Sequence, residues 1–296
     1  TMGFNCGIVG LPNVGKSTLF NALTRATVLA ANYPFATIEP NVGVVPLPDA
    51  RLDKLAELFH SARVVPATVS FVDIAGIVRG ASEGEGLGNQ FLANIREVDA
   101  IAHVLRCFED GDITHVEGRV DPVADAETIE TELMIADLES IERRLANLAR
   151  KLKGGDKDAL AQEKLLKAAQ AALESGKPAR TVAVAEDDRK AWDMLQLLTA
   201  KPVLYVCNVA EEDAATGNAF SDAVATMAKE QGAGHVVISA RIEEEISQLD
   251  AQRIDDGSGN RQRLLTQSTP RRREFDVDVA LVVAATSSHD ELLLFE

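Results

Sequence analysis

Short apolar runs alternate with amphipathic helical patterns along the first 125 residues, and the alternation returns after residue 200. The apolar runs span residues 5–10, 42–47, 68–75, 100–108, 201–208 and 234–240. Most of these runs lack polar alternation, which is typical of strands that are covered on both faces. Helical patterns lie between them, at residues 16–25, 51–59, 88–98 and 219–230. The alternation predicts an α/β fold with a doubly wound, mostly parallel sheet.

Residues 126–200 interrupt this alternation. The stretch 127–177 contains neither proline nor a strand pattern. Its apolar residues recur every three to four positions, as in a helical stripe; they are Leu133, Ile135, Leu138, Ile141, Leu145 and Leu148. Gly154 and Gly155 then end the first helix, and a second runs from about Lys157 to Glu174. We expect an antiparallel helical (coiled-coil) hairpin, inserted between two parts of one sheet domain at 2–125 and 201–250.

The last residues, 251–296, differ from both regions. They are polar and rich in turn-forming residues, apart from a strand-like run at 278–286. We expect this atypical tail to be disordered or weakly structured, or to be a truncated end of the fold.

Charge and composition exclude several classes of protein. The formal net charge of −16 argues against a protein that coats DNA or binds it sequence-specifically, because phosphate neutralisation requires clustered Lys and Arg. No apolar run approaches the ~20 residues that cross a bilayer. Cys6, Cys107 and Cys207 each lie in a strand-like run without disulfide or metal spacing, so we expect buried thiols. Together these features predict a cytoplasmic protein.

The segment "GLPNVGKST" carries the strongest chemical signal. Gly10, Gly15, Lys16 and Ser17 form a phosphate-binding loop between a predicted strand and a predicted helix. The backbone amides and the helix N-terminus would hold phosphates, Lys16 would reach the β and γ oxygens, and Ser17 would supply a hydroxyl to Mg²⁺. The expected nucleotide contacts are Asn13, Val14, Gly15, Lys16, Ser17 and Thr18.

Three further residues complete the predicted phosphate and metal site. Asp73 and Gly76, at the end of the run 68–75, fit the Asp-any2-Gly pattern in which the carboxylate holds Mg²⁺ and the glycine amide faces the γ-phosphate. Thr37, in "YPFATIEPN", is expected to act as a switch threonine on Mg²⁺ and the γ-phosphate. The alternative for Thr37 is an ordinary exposed loop residue.

The residue after Gly76 is Ile77, where many GTPases carry a water-orienting glutamine. Isoleucine makes no hydrogen bond, so another group must position the water, or turnover is slow without a partner. The segment 77–90 is glycine-rich and suits a switch that orders around the γ-phosphate. His103 fits a core position, whereas His115 lies in a loop beyond a strand end and is our candidate for positioning water or acting as a general base. The alternative for His115 is a structural role in the loop.

The base-recognition segment is unusual. "NVAE", from Asn208 to Glu211, stands where a guanine-binding protein carries Asn-Lys-any-Asp, so the lysine and the aspartate are both replaced. Asn208 can still form hydrogen bonds, and Val209 can pack on a purine ring. Ser239 and Ala240 match the second base-contacting loop. The two replacements should therefore remove much of the affinity advantage of guanine; the alternative is a degenerate site that still prefers guanine.

These motifs together resemble the YchF subfamily of Obg-type P-loop NTPases, the Obg-like ATPases. The resemblance covers roughly residues 2–250 and includes "GIVGLPNVGKSTLFNALT", "FVDIAGIVRGASEGEGLGNQFL" and "HVLRCFED". It implies a TRAFAC-class G domain with a helical insertion, ATP preferred over GTP, and ribosome association in translational or stress regulation. It also implies nucleotide contacts from residues 13–18 and Val209, and Mg²⁺ held by Ser17 and Thr37. Asn13 resembles the loop asparagine that helps bind K⁺ in related NTPases, which implies a K⁺ requirement. Family members continue into a TGS domain, which residues 251–296 do not match.

The hairpin sequence adds a candidate partner surface. Basic residues gather toward its turn in an otherwise acidic chain; they are Arg143, Arg144, Arg150, Lys151, Lys153 and Lys157. They form either a solvated helix face or a contact for ribosomal RNA phosphates. We therefore expect an ATP-hydrolysing switch protein. The two alternatives are a guanine-specific GTPase and a nucleotide-binding scaffold with little turnover.

Overall fold

The computed structural model describes residues 4–30, 41–46, 50–61, 63–74, 87–110 and 119–255. A six-stranded sheet has the order β2-β3-β1-β4-β5-β6, and only β2 runs antiparallel to its neighbour. The strands are β1 (Phe4–Val9), β2 (Val42–Pro46), β3 (Thr68–Asp73), β4 (Ala100–Arg106), β5 (Val203–Asn208) and β6 (Gly234–Ile238). The predicted doubly wound, mostly parallel sheet is confirmed.

Eight α-helices accompany the sheet in the described ranges. They are α1 (Lys16–Ala30), α2 (Ala50–Phe59), α3 (Leu87–Glu97), α4 (Pro122–Lys153), α5 (Lys157–Glu174), α6 (Glu186–Asp193), α7 (Ala219–Glu230) and α8 (Ala240–Asp255). None of these helices is both long enough and apolar enough to cross a membrane.

The central strands form the main core. Every residue of β4 and β5 is buried, because helices cover both faces of the sheet there. The three cysteines are free thiols and all are buried, as the sequence predicts.

Helix α4 belongs to two cores. It begins where the Asp121 carboxylate accepts a hydrogen bond from the Ala124 amide and Pro122 occupies the first turn. Its first half, from Ala126 to Ala136, packs with the sheet. Its second half packs with α5 and the segments that follow, in a separate apolar cluster. The insertion boundary predicted at residue 126 therefore falls inside a continuous helix.

The expected apolar stripe of α4 is shared between these two cores. Leu133 is buried against the sheet, whereas Ile141 and Leu148 are buried in the helical cluster. Ile135 is 37% exposed and belongs to neither cluster, so its assignment to the stripe was wrong. Ile135 follows Leu133 by two positions, and side chains two positions apart on a helix point to different faces.

The antiparallel hairpin forms as predicted between α4 and α5. The turn uses Gly155 at φ +73°, and the Asp156 carboxylate caps α5 by accepting hydrogen bonds from the amides of Asp158 and Ala159. Its core also takes in Trp192 from α6. The insertion is therefore a small helical layer with more than two helices.

Helix α8 is the main element that the sequence analysis missed. It starts at Ala240, packs along α1, and runs to Asp255. Residues 251–255, assigned above to a disordered or weakly structured tail, are thus helical. Ile242 and Ile246 are four positions apart among good helix formers, which was the available signal. The rest of the tail, including 278–286, lies outside the described residues.

Candidate nucleotide-binding site

The predicted site residues that the structure describes meet at the carboxyl edge of the parallel strands. Asp73 is paired with Ile8 at the ends of β3 and β1, and Asn208 at the end of β5 is paired with Ile238 of β6. In open α/β sheets this edge binds the ligand. The sheet therefore brings together residues that are distant in sequence.

The phosphate-binding loop lies between β1 and α1 in a conformation that its residue types allow. Gly15 has φ +92° and Asn13 has φ +63°; glycine enters this left-handed region freely, and asparagine tolerates it better than most residues. A Cβ atom at Gly10 would lie 2.7 Å from the Val104 carbonyl oxygen, so β4 packs directly against the loop. Ser17, in the first turn of α1, is exposed.

Lys16 and Asp73 face each other within this site. The Lys16 Nζ atom lies 2.9 Å from Asp73 Oδ1, and the two side chains are 12% and 19% exposed. The Asp73 amide donates a hydrogen bond to the Asn41 carbonyl at 2.9 Å, which fixes the end of β3. A cation for phosphate and a carboxylate for a hard metal ion thus lie side by side.

Asn208 connects the phosphate loop to the base loop. Its amide Nδ2 donates to the Val14 carbonyl at 3.0 Å, and its Oδ1 accepts from the Ala240 amide at 2.9 Å. Asn208 is 5% exposed. A Cβ atom at Gly15 would overlap the Asn208 amide nitrogen. The side chain predicted to bind the nucleotide thus holds together the two loops that would surround it.

The other base-motif residues differ in their surroundings. Val209 is 2% exposed and lies in the main core, because its amide donates to the Ile238 carbonyl at 2.8 Å and continues the sheet ladder. Its side chain therefore presents almost no surface on which a purine could pack. Glu211 is exposed and pairs with Arg241, with 3.0 Å between Oε1 and Nε. Ser239 and Ala240 are buried.

Arg106 is a site-edge residue that the sequence analysis missed. It ends β4 beside Asn208, and its side chain is almost completely buried. Its guanidinium donates to the carbonyls of Phe108 and Asp110, at 3.1 and 3.2 Å, and lies over the Phe108 ring. These bonds shape the loop that leads toward His115. An arginine inside the apolar run 100–108 was the available signal, because a buried charge requires partners.

His103 is a core residue, as predicted. It is 3% exposed, its ring lies 5.6 Å from that of Tyr205, and its Nε2 atom has no hydrogen-bond partner among the described residues. Burial, followed by the nearby charge of Arg180, lowers the pKa of His103 to about 3. The imidazole is therefore neutral at pH 7.

A buried polar cluster joins the helical insertion to the sheet. Arg180 donates two hydrogen bonds to the Glu130 carboxylate at 3.0 and 2.9 Å and one to Gln231 Oε1 at 2.7 Å. The Tyr205 hydroxyl donates to the same Gln231 oxygen at 2.8 Å, and burial raises the pKa of Tyr205 to about 12. The cluster links Glu130 of α4 and Gln231, which directly follows α7, to Tyr205 of β5. Tyr205 lies three residues before Asn208. No sequence pattern identified these partners.

Three predicted catalytic positions lie outside the described residues. They are Thr37, Gly76 and His115. The switch segment from Ile77 up to residue 86 lies outside them as well. Their assigned roles stay predictions.

Comparison with known proteins places this site in a family. A family model described as "50S ribosome-binding GTPase" matches residues 5–147. The chain is 55% identical over 255 residues to a Haemophilus ducreyi protein named "Ribosome-binding ATPase YchF", covering 86% of this chain and 70% of that protein. The chain belongs to the YchF family. A Bacillus subtilis protein of the same name is 51% identical over 253 residues, which cover 85% of this chain and 69% of that protein.

A solved YchF structure has the same fold. The Schizosaccharomyces pombe protein described as "YchF GTPase" superimposes with a TM-score of 0.70 at 36% identity, over 89% of this chain and 74% of that chain. The family resemblance and the P-loop G-domain fold inferred from the sequence are thus confirmed. Two of these relatives are named ATPase and the third is named GTPase. Their names therefore do not decide between adenine and guanine.

Proposed function

We propose that this protein is a nucleoside triphosphate hydrolase that prefers ATP to GTP and acts as a ribosome-associated switch. The observation that carries the proposal is the base-recognition segment. Its asparagine is retained as a link between two loops, while the side chains that read guanine are replaced by buried Val209 and by Glu211, which is paired with Arg241.

The phosphate end of the site supports hydrolysis. Lys16 and the loop amides would hold the phosphates, and Ser17 and Asp73 offer the hydroxyl and carboxylate oxygens that suit Mg²⁺. Bound Mg²⁺ would neutralise charge that develops on the phosphate oxygens. Thr37 is proposed as a further metal ligand, Gly76 as an amide facing the γ-phosphate, and His115 as the group that positions water. Asn13 is the proposed K⁺ contact.

The base end of the site favours adenine for a physical reason. In guanine-reading proteins an aspartate accepts two hydrogen bonds from the base, and each donor left unpaired costs about 1–3 kcal/mol. Here the corresponding carboxylate belongs to the longer Glu211 and already contacts Arg241 at 3.0 Å. The Ala240 amide is also engaged, since it donates to Asn208. Because 1.4 kcal/mol equals a factor of ten, we expect at least tenfold tighter binding of ATP.

The proposed partner is the ribosome, and the proposed role is regulation of translation or of a stress response. The relatives' names support the partner. A second candidate, a guanine-specific GTPase, is supported by the name of the solved yeast relative. Ile77 raises a third, a scaffold that binds nucleotide without appreciable turnover.

Calorimetric titration with ATP and with GTP, each with and without K⁺, tests the base preference directly. Phosphate release in the presence and absence of Mg²⁺ tests turnover. We expect tighter ATP binding and Mg²⁺-dependent phosphate release that K⁺ accelerates. Tighter GTP binding would support the guanine-specific candidate, and binding without phosphate release would support the scaffold.

A variant sharpens this test. Arg241→Ala frees the Glu211 carboxylate to accept hydrogen bonds from guanine. An exposed ion pair is worth about 0.2–1 kcal/mol, so GTP affinity should rise up to about fivefold while ATP affinity stays unchanged. Arg189→Ala, which removes an exposed pair with Asp193 on α6, is the matched control. An unchanged GTP affinity in Arg241→Ala would show that the pair does not affect base choice.

A further inference from the structure

Four cations surround the turn of the helical hairpin, and we call them the cationic tip: Arg150, Lys151, Lys153 and Lys157. All four are exposed. No hydrogen bond or ion pair joins any of their side chains to another residue in the part of the chain that the structure describes. The neighbouring Arg144 differs, since its guanidinium donates to the Leu195 carbonyl at 2.7 Å. The tip charges are therefore available to a partner.

The hairpin core holds these cations outward. Ile141 and Leu148 are buried between α4 and its neighbours, so the remaining faces of the last turns of α4 point to solvent. Two carboxylates flank Lys157: Asp156 is occupied as the cap of α5, and Asp158 is exposed. Residues 143–167 contain eight Lys and Arg and three Asp and Glu, a net charge of +5 in a chain of −16. The protein is thus divided into a positive tip and a strongly negative body.

The length of α4 separates the tip from that body. Ala136 is the last α4 residue in the main core, and Lys151 follows it by 15 residues on one continuous helix. At 1.5 Å per residue the two are about 22 Å apart. The Debye length at physiological salt is about 8 Å, so the negative body is largely screened at the tip. A polyanion could therefore bind the tip with little repulsion from the sheet domain.

We propose that the cationic tip binds the phosphate backbone of folded RNA in the ribosome. This inference rests on the proposed ribosome association and names the surface that makes the contact. Residues 143–167 contain no aromatic side chain, so the tip has nothing on which unpaired bases could stack. Lysine-rich surfaces of this kind bind phosphates without reading sequence.

The test compares the 296-residue chain with the triple variant Arg150→Glu, Lys151→Glu, Lys153→Glu by co-sedimentation with ribosomes over a range of KCl. Each phosphate contact contributes about 0.7–0.9 to the slope of log affinity against log salt. Four contacts give a slope of about −3 and a loss of about 50- to 150-fold between 50 and 200 mM salt. The variant should bind at least tenfold more weakly, with a slope no steeper than about −1.

The control variant is Lys177→Glu, Lys190→Glu, Lys229→Glu. These lysines are also exposed but scattered, so the net charge changes equally without touching the tip. A second tip variant with three glutamines removes the charge without placing carboxylates at a helix C-terminus. Circular dichroism and basal nucleotide hydrolysis should match the original chain for all three variants. Protein-free ribosomal RNA should compete with ribosomes for the original chain.

Equal ribosome binding and salt slopes for the original chain and both tip variants would overturn the inference and leave the proposed ribosome association intact. Loss of binding in the scattered control to the same extent as in the tip variants would also overturn it, since net charge alone would then explain the effect. Failure of ribosomal RNA to compete would indicate an acidic protein as the partner instead. A chain that does not sediment with ribosomes at any salt concentration would overturn both proposals.

Discussion

Replacing Asn208 with alanine tests whether this side chain holds two loops together or reads the base of the nucleotide. The substitution removes the donor to the Val14 carbonyl and the acceptor for the Ala240 amide, which lie at 3.0 and 2.9 Å. Because Asn208 is only 5% exposed, water cannot easily replace either bond. Each buried group left unpaired costs about 1–3 kcal/mol, so the free energy of unfolding should fall by about 2–6 kcal/mol.

Urea denaturation of the nucleotide-free chain measures this loss, with Asn147→Ala on the exposed face of α4 as the control. The control should lie within about 0.5 kcal/mol of the original chain. Competition titration then compares ATP and GTP. Both affinities should fall by the same factor in Asn208→Ala, since the misplaced loops carry both phosphate and base contacts. A tenfold change in the ATP-to-GTP ratio at unchanged stability would refute this reasoning and assign Asn208 to the base.

Three further predictions concern backbone conformation, proton uptake and the buried cluster. Gly15→Ala should lower nucleotide affinity by more than tenfold in a binding assay, because its Cβ displaces the Asn208 amide. Gly155→Ala, also at positive φ but with open space around it, should cost only about 1–2 kcal/mol of stability and no affinity. Since burial lowers the pKa of His103 from 6.5 to about 3, the unfolded chain binds the extra proton. The free energy of unfolding should therefore fall by about 1 kcal/mol between pH 7.5 and 5.5. The urea midpoint of His103→Gln should lack this pH-dependent fall, and an equal fall in the variant and the original chain would contradict the prediction. Arg180→Ala leaves a buried carboxylate unpaired and should cost about 3–5 kcal/mol in urea unfolding, whereas a loss below 1 kcal/mol would show that Glu130 finds water.

Some features of the site could be predicted because their causes are local. The phosphate loop needs glycine at Gly15, where φ is +92°, and tolerates asparagine at Asn13, where φ is +63°. The buried strands could be recognised from uniformly apolar runs, since both faces of the central sheet are covered. Periodicity also predicted the hairpin, although Ile135 shows that an apolar residue in a helical pattern need not face a core.

Other features depend on residues far apart in the sequence. The bond between Asn208 and Val14 spans 194 positions, and the pairing of Arg180 with Glu130 spans 50. Helix α8 was missed because three consecutive glutamates, Glu243 to Glu245, and the polar residues after residue 250 obscure its short apolar pattern. Only its packing along α1 explains why it is a helix. In the same way, no periodicity could reveal that α4 leaves the main core after Ala136 and enters a second one.

The sequence by itself thus determined the chemical inventory of this protein: a phosphate-binding glycine loop, a carboxylate at a strand end, an altered base motif and a basic helical turn. Each depends on residue type, or on spacing within a few positions, which local backbone preferences convert directly into structure. Only the tertiary structure decided how those groups are used. Side-chain direction and burial depend on neighbours that the sheet brings together, which is why Asn208 holds two loops together, Val209 is enclosed in the core and Glu211 is paired with Arg241.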